Sequence, residues 1–118
     1  MRYMALIYGD EAAAWESQSE EEERSVMAEY GAVGDRAGAA GKLVGGEQLA
    51  PTGTATTVRV QGGETLVTDG PYAEVKEALG GYFLLECDTI EEACELAAQI
   101  PGAAMGSIEV RPVRIQEG

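Results

Sequence analysis

The stretch GYFLLEC, residues 81–87, is the strongest strand signal in the chain, and its flanks decide the fold. Asp88 or Thr89 follows at once and caps a helix, with Glu91 or Glu92 as the capping-box partner. Ile90, Ala93, Cys94, Ala97 and Ile100 recur at helical spacing and form its expected buried face. Pro101-Gly102 stops that helix. SIEVRPV, residues 107–113, reads as a last strand, with Pro112 at a strand end or an edge because it cannot donate to a ladder. Upstream, RYMALIY, residues 2–8, is a first strand ended by Gly9 and Asp10. Ser19 with Glu22 fits a capping box, so a helix is expected from about Glu20 to about Ala40, buried along Val26, Tyr30, Val33, Ala37 and Ala40. Gly31, Gly34, Gly38 and Gly41 flank that stripe. They read as a soft helix or as room for a close neighbouring backbone.

Between these two halves lies a weaker region. Residues 43–49 are a weak strand or a bend. Residues 55–60 and 64–68 alternate around Gly62-Gly63 and read as a hairpin. Residues 72–80 form an excursion with room for one helical turn. The order is strand, helix, weak strand, hairpin, strand, helix, strand. That predicts an α+β fold, a ferredoxin-like βαββαβ with an added hairpin, as one domain over residues 1–118.

Two helices cover only one face of such a sheet. Yet Met4, Leu6 and Tyr8 point one way along the first strand while Tyr3, Ala5 and Ile7 point the other. Residues 82–85 are also apolar on both faces. A second copy of the chain, sheet against sheet, is the expected cover, so a homodimer is expected.

The chain has 21 acidic and 8 basic residues, a net charge of -13 and no histidine. A broad basic surface for nucleic acid is therefore excluded, and so is imidazole chemistry from this chain. No N-terminal leader pattern and no membrane-length apolar run is present, so a cytoplasmic protein is expected, with Cys87 and Cys94 as buried free thiols. No spacing resembles an EF-hand loop or a phosphate loop; the many acids leave a carboxylate-only Mg²⁺ or Ca²⁺ site open, but Glu20 to Glu23 reads as a helix start and no cofactor is expected. Trp15, in the loop before the first helix, reads as a staple over the core in preference to a lid over the pocket. Most acids are expected on the solvated faces of the helices. Arg2, Arg59, Arg111 and Arg114 instead fall on or beside strands. If Val58, Val60, Ile108 and Val110 face the helices, Arg59 and Arg111 face the dimer interior. There they need an anionic partner. A carboxylate such as Glu109 or Glu86 is one candidate, and a small anionic ligand is the other.

The densest constellation is Thr68-Asp69-Gly70-Pro71-Tyr72-Ala73-Glu74-Val75-Lys76-Glu77, followed by Leu79-Gly80-Gly81-Tyr82. Asp69 stands where a strand stops and can cap the turn. Gly70-Pro71 forces a change of direction, and Gly80-Gly81 lets the chain enter the next strand close to a neighbour. This segment resembles the signature of the DGPF-domain proteins of the YCII-related family, where phenylalanine commonly stands in place of Tyr72. Arg2-Tyr3-Met4, Tyr8-Gly9-Asp10, Ala50-Pro51 and Glu109-Val110-Arg111-Pro112-Val113 extend the resemblance along the chain. The resemblance implies a dimeric α/β barrel and, through the frequent pairing of such proteins with sigma factors, a regulatory association. Some related proteins are proposed to use a His-Asp pair, and a few act on small aromatic or lactone-type compounds. The absent histidine removes that pair here.

Two readings of function follow. One is a non-catalytic ligand-binding or regulatory module holding a small anionic or aromatic molecule. The other is an isomerase- or lyase-type enzyme. Asp69 would be its general base, and Lys76 or Arg111 would stabilise negative charge. Tyr8, Tyr72 and Tyr82, with Arg59 and Arg111, are the expected ligand-binding side chains.

Overall fold

A computed structural model describes residues 1–11 and 19–115. Trp15 lies outside them. Six strands and three helices are described: β1 (Arg2–Gly9), α1 (Glu20–Ala39), β2 (Leu43–Gln48), β3 (Thr56–Gln61), β4 (Glu64–Asp69), β5 (Ala78–Glu86), α2 (Ile90–Ala97), α3 (Gly102–Met105) and β6 (Ser107–Pro112). No helix among the described residues is long and apolar enough to cross a membrane.

The main sheet has the order β2-β5-β1-β6, and every neighbouring pair is antiparallel. β1 and β2 are therefore parallel, joined through α1, with β5 between them. β5 and β6 are likewise parallel, joined through α2, with β1 between them. Each βαβ unit thus holds a strand of the other. The weakly signalled stretch at 43–49 does join the sheet, because β5 supplies the hydrogen-bonding partner that its own composition does not demand.

Local chemistry sets the helix ends. The Glu22 N–H donates to Ser19 Oγ at 3.2 Å, and four glutamates fill the first turn of α1, where they suit the helix dipole. Gly41 ends the helix at φ +73°. The Lys42 N–H reaches Ala37 O at 2.8 Å and the Gly41 N–H reaches Gly38 O at 3.0 Å, which satisfies the last carbonyls. Thr89, rather than Asp88, caps α2 by accepting from the Glu92 N–H.

Tyr3 and Ala5 of β1 and Leu85 of β5 are buried under Val33 of α1, Ala93 and Ala97 of α2, and Ile100 in the turn after it. Register places Val110 opposite Ala5 and Ile108 opposite Ile7 on the same face. Alanine at 93 and 97 lets α2 sit close to the sheet. Two expected core positions of α2 differ: Ile90 and Cys94 are exposed. Side chains tilt toward a helix N-terminus, so Ile90 in the first turn points off the end. Cys94 sits on the flank of the stripe formed by Ala93, Leu96, Ala97 and Ile100. Ala40, at the cap of α1, is exposed as well.

The other face of the sheet has no cover among the described residues. Met4 stands opposite Leu84 and Leu6 opposite Tyr82 there, with Arg111 and Glu109 as their neighbours on β6.

The hairpin forms as expected, but it does not join the main sheet. β3 and β4 make a separate two-stranded ribbon, closed by Gly62 and Gly63 at φ +57° and +80°. Val58 and Val60 consequently face no helix. Their alternation specifies a ribbon, not what covers it. β5 starts at Ala78, so Gly80 and Gly81 lie inside the strand, and residues 72–77 hold no helical turn. Gly81 does meet a neighbour, because a Cβ there would stand 2.8 Å from Glu47 O of β2.

Lys42 and Glu92 form a half-buried ion pair that ties the start of β2 to α2. The hydrogen bond to Lys42 holds the Glu92 carboxyl below its usual range, and the same bond raises Lys42. A lowered carboxylate contributes stability above its unfolded pKa and loses it as pH falls through the folded value. A raised lysine contributes below its unfolded pKa and loses it as pH rises through the folded value. The pair is therefore fully effective from roughly pH 5 to 10. Glu92→Gln should lower the urea midpoint at pH 7 and flatten its decline below pH 5. Parallel pH profiles for the two proteins would contradict this role.

Candidate functional site

One large concavity opens between the N-terminal half of α1 and the end of the sheet formed by the C-terminal ends of β1 and β2 and the start of β5. Its volume is about 790 Å³, within the range of small-molecule sites. The glycines of α1 create it. Gly31 and Gly34 stand in its wall, where larger side chains would fill the space. A Cβ at Gly31 would meet nothing within 4 Å, and one at Gly34 would make only ordinary contact with Phe83 and Leu43. No backbone approaches this glycine flank closely. Its sequence signal was a gap in the wall rather than a packing seam.

The floor is apolar and aromatic. Ile7, Val26, Tyr30 and Phe83 contribute to it, and Met27, Leu49, Leu79 and Met105 are exposed at its mouth. Burial pushes the Tyr30 hydroxyl up, and a backbone hydrogen bond from Gly102 works in the opposite sense. Tyr30 therefore stays a neutral phenol at physiological pH. The charged part of the lining is carboxylate: Asp10, Glu11, Glu23, Asp35 and Glu47. Among the described residues, no lysine or arginine lines the cleft.

Glu11 holds the rim in place. Its Oε1 accepts the Thr52 N–H at 2.8 Å and its Oε2 accepts the Thr52 hydroxyl at 2.8 Å. This fixes the short 3₁₀ turn Thr52–Thr54 beside Pro51. The Leu49 N–H to Gly80 O bond continues the β2–β5 pairing to the same rim.

A family model for the YCII-related domain matches residues 1–115. The chain belongs to the YCII-related family. An uncharacterised protein of Rhizobium meliloti (strain 1021) is 42% identical over 119 residues, covering 98% of this chain and 94% of that protein.

In this YCII-related chain the expected site residues are not gathered in one place. Tyr8 and Tyr82 line the cleft, although register puts Tyr82 opposite Leu6 on the uncovered face. Arg111 lies on that uncovered face beside Glu109, with 3.9 Å between Nη1 and Oε1. Arg2 pairs with Glu86 at 3.6 Å, and the N-terminal ammonium, with Arg2 adding to it, holds that carboxyl low. These strand arginines thus have carboxylate partners. Arg59 is exposed on β3. Asp69 closes β4 opposite Thr56, and Tyr72 and Lys76 are exposed on the connection to β5. The signature segment therefore forms the root of the ribbon, where the Gly70 N–H donates to Ala55 O at 2.7 Å and the Thr57 hydroxyl donates to Gly70 O at 2.8 Å.

Sequence reasoning missed Tyr30, Phe83 and Glu11 as cleft residues. Tyr30 falls on the expected core stripe of α1, and the link from Glu11 to Thr52 spans 41 positions that no local pattern connects. Cys87 is buried, and burial, with Glu92 next, pushes its thiol up, so it stays protonated at neutral pH. Among the described residues, no three acids or cysteines converge as metal ligands.

Glu11→Ala removes both acceptors at the rim. A hydrogen bond to a charged group is worth ~1–3 kcal/mol, so the Thr52 amide should exchange about tenfold or more faster while core amides of β1 and β5 stay unchanged. An unchanged Thr52 exchange rate would show that Glu11 does not hold the turn.

Proposed function

We propose that this YCII-related chain is a non-catalytic small-molecule-binding module that works as a homodimer. The observation behind the reading is the cleft, a roomy concavity with an aromatic floor, an apolar mouth and a rim fixed by Glu11. Its carboxylate lining favours a neutral aromatic or apolar ligand over an anionic one, because an anion there would lack a cationic partner. The alternative enzyme reading loses support from position. A general base must come within hydrogen-bond reach of the proton it takes, and Asp69 and Lys76 lie outside the cleft.

The crossed βαβ units support the ferredoxin-like reading of the fold. The uncovered apolar face supports the dimeric α/β barrel, since Met4, Leu6, Tyr82 and Leu84 would otherwise face water. Free rather than bridged cysteines fit a cytoplasmic setting.

Wild-type protein should sediment as a dimer at micromolar concentration. Leu6→Glu, which places a charge on the uncovered face, should sediment as a folded monomer. A wild-type monomer would contradict the dimer. For the cleft, a thermal-shift screen of neutral aromatic compounds and aromatic acids is the direct test. A ligand at a hundred times its Kd stabilises by ~2.7 kcal/mol, a shift of several degrees for a domain of this size. The shift should favour neutral compounds and vanish in Gly34→Leu, which fills the wall. A shift that survives Gly34→Leu, or none from any compound at millimolar concentration, would contradict binding in the cleft.

A further inference from the structure

The β3–β4 ribbon is not packed on its own body. All of β4 is exposed, and so is all of β3 except the half-buried Thr57. On one face Val58 pairs with Val67, and Val60 lies alongside; these three are 60%, 65% and 69% exposed. Tyr72, at the ribbon's root, is 79% exposed. An uncovered two-stranded ribbon is marginal in water. The shape of the chain reflects the projection, with a radius of gyration of 16.3 Å against about 13.5 Å for a compact chain of this length.

The cleft mouth has the complementary deficit. Met27, Leu49, Leu79 and Met105 are exposed around it, and Glu23, Asp35 and Glu47 bring negative charge to a lining that holds no lysine or arginine among the described residues. Meanwhile Arg59 on the ribbon and Lys76 at its root have no carboxylate partner among the described residues. Most of the chain's other cations are held by Glu86, Glu92, Glu109, Gln99 or the backbone.

We propose that the ribbon is an exchanged arm whose partner is a second copy of this chain. In the homodimer each arm lays Val58, Val60 and Val67 across the apolar mouth of the other copy's cleft. Arg59 stands on the ribbon's other face, opposite Leu66; the ribbon is narrow and strongly twisted, so its long side chain wraps the edge toward the carboxylates at that mouth, and Lys76 meets them from the root. Two-fold symmetry gives each cleft one arm. The cleft then gains a wall that its own chain does not supply, and the arm's two cations are taken up by the carboxylates of the rim, which leaves the interior suited to a neutral ligand. This rests on the homodimer proposed above.

The test uses Arg59→Lys protein, mixed from ¹⁴N- and ¹⁵N-labelled stocks and treated with a carbodiimide, which joins amines to carboxylates in contact. Sedimentation of the same sample reports its oligomeric state. The Lys42–Glu92 pair supplies the internal control, since it must couple within one chain. The arm predicts mixed-isotope links from the amine introduced at 59 to Glu23, Asp35 or Glu47. A dimer whose control couples while position 59 gives no mixed-isotope link overturns the arm and leaves the dimer standing. A monomer overturns both. Independently, Val58→Ser/Val67→Ser alters side chains that are exposed in the single chain. It should leave each subunit's fold intact and raise the dimer Kd by about tenfold or more. An unchanged Kd contradicts the arm.

Discussion

β1 sits between β5 and β6 and is apolar on both of its faces, and the described helices reach only one of them. That constraint organises the rest of the molecule. On the helix side, Tyr3 and Ala5 anchor a core closed by small residues, Ala37 on α1 and Ala93 and Ala97 on α2, so two helices lie close to a four-stranded sheet. On the other side, Met4 and Leu6 meet Leu84 and Tyr82, half-buried by one another, and no described helix packs above them. A sheet face of this kind is normally polar when a monomer leaves it in water. Its composition is the physical reason for reading the protein as half of a larger barrel.

The cleft follows from the same arrangement. α1 is long and capped at both ends, yet its glycines leave its sheet-facing side thin near the end of β1. The space that a larger side chain would fill becomes an aromatic cavity, and Glu11 and Thr52 fix its rim from two distant parts of the sequence. The signature segment Asp69-Gly70-Pro71-Tyr72 lies elsewhere. It turns the chain at the root of an exposed ribbon, which makes it an architectural element of the single subunit. In the proposed homodimer it is the second copy that would bring it near a site.

Much of this architecture was legible in the residues. The two-faced apolar strands, the Ser19 and Thr89 caps, the Gly62-Gly63 turn and both long helices follow from local chemistry. What stayed hidden depends on contacts distant in sequence. The composition of β2 is weak for a strand, and only its pairing with β5 makes it one. The ribbon's alternation does not reveal that it stands apart from the sheet, so Arg59 lies on neither face of the main sheet despite its parity. The site was less legible than the fold. Tyrosines, cations and an aspartate name chemistry, but of those only Tyr8 and Tyr82 reach the cleft, while Tyr30 falls on the expected core stripe of α1 and Phe83 is one apolar residue of a strand apolar on both faces.

The uncovered face is most directly tested by an isotope-filtered NOE measurement on a mixture of labelled and unlabelled protein. If it is the interface between two copies, methyl protons of Met4 and Leu6 in one copy will show contacts to Leu84 methyls or the Tyr82 ring in the other. If these groups show only contacts within one chain, and the protein tumbles as a single subunit, the face is open to water and the account of the molecule as half a barrel is wrong.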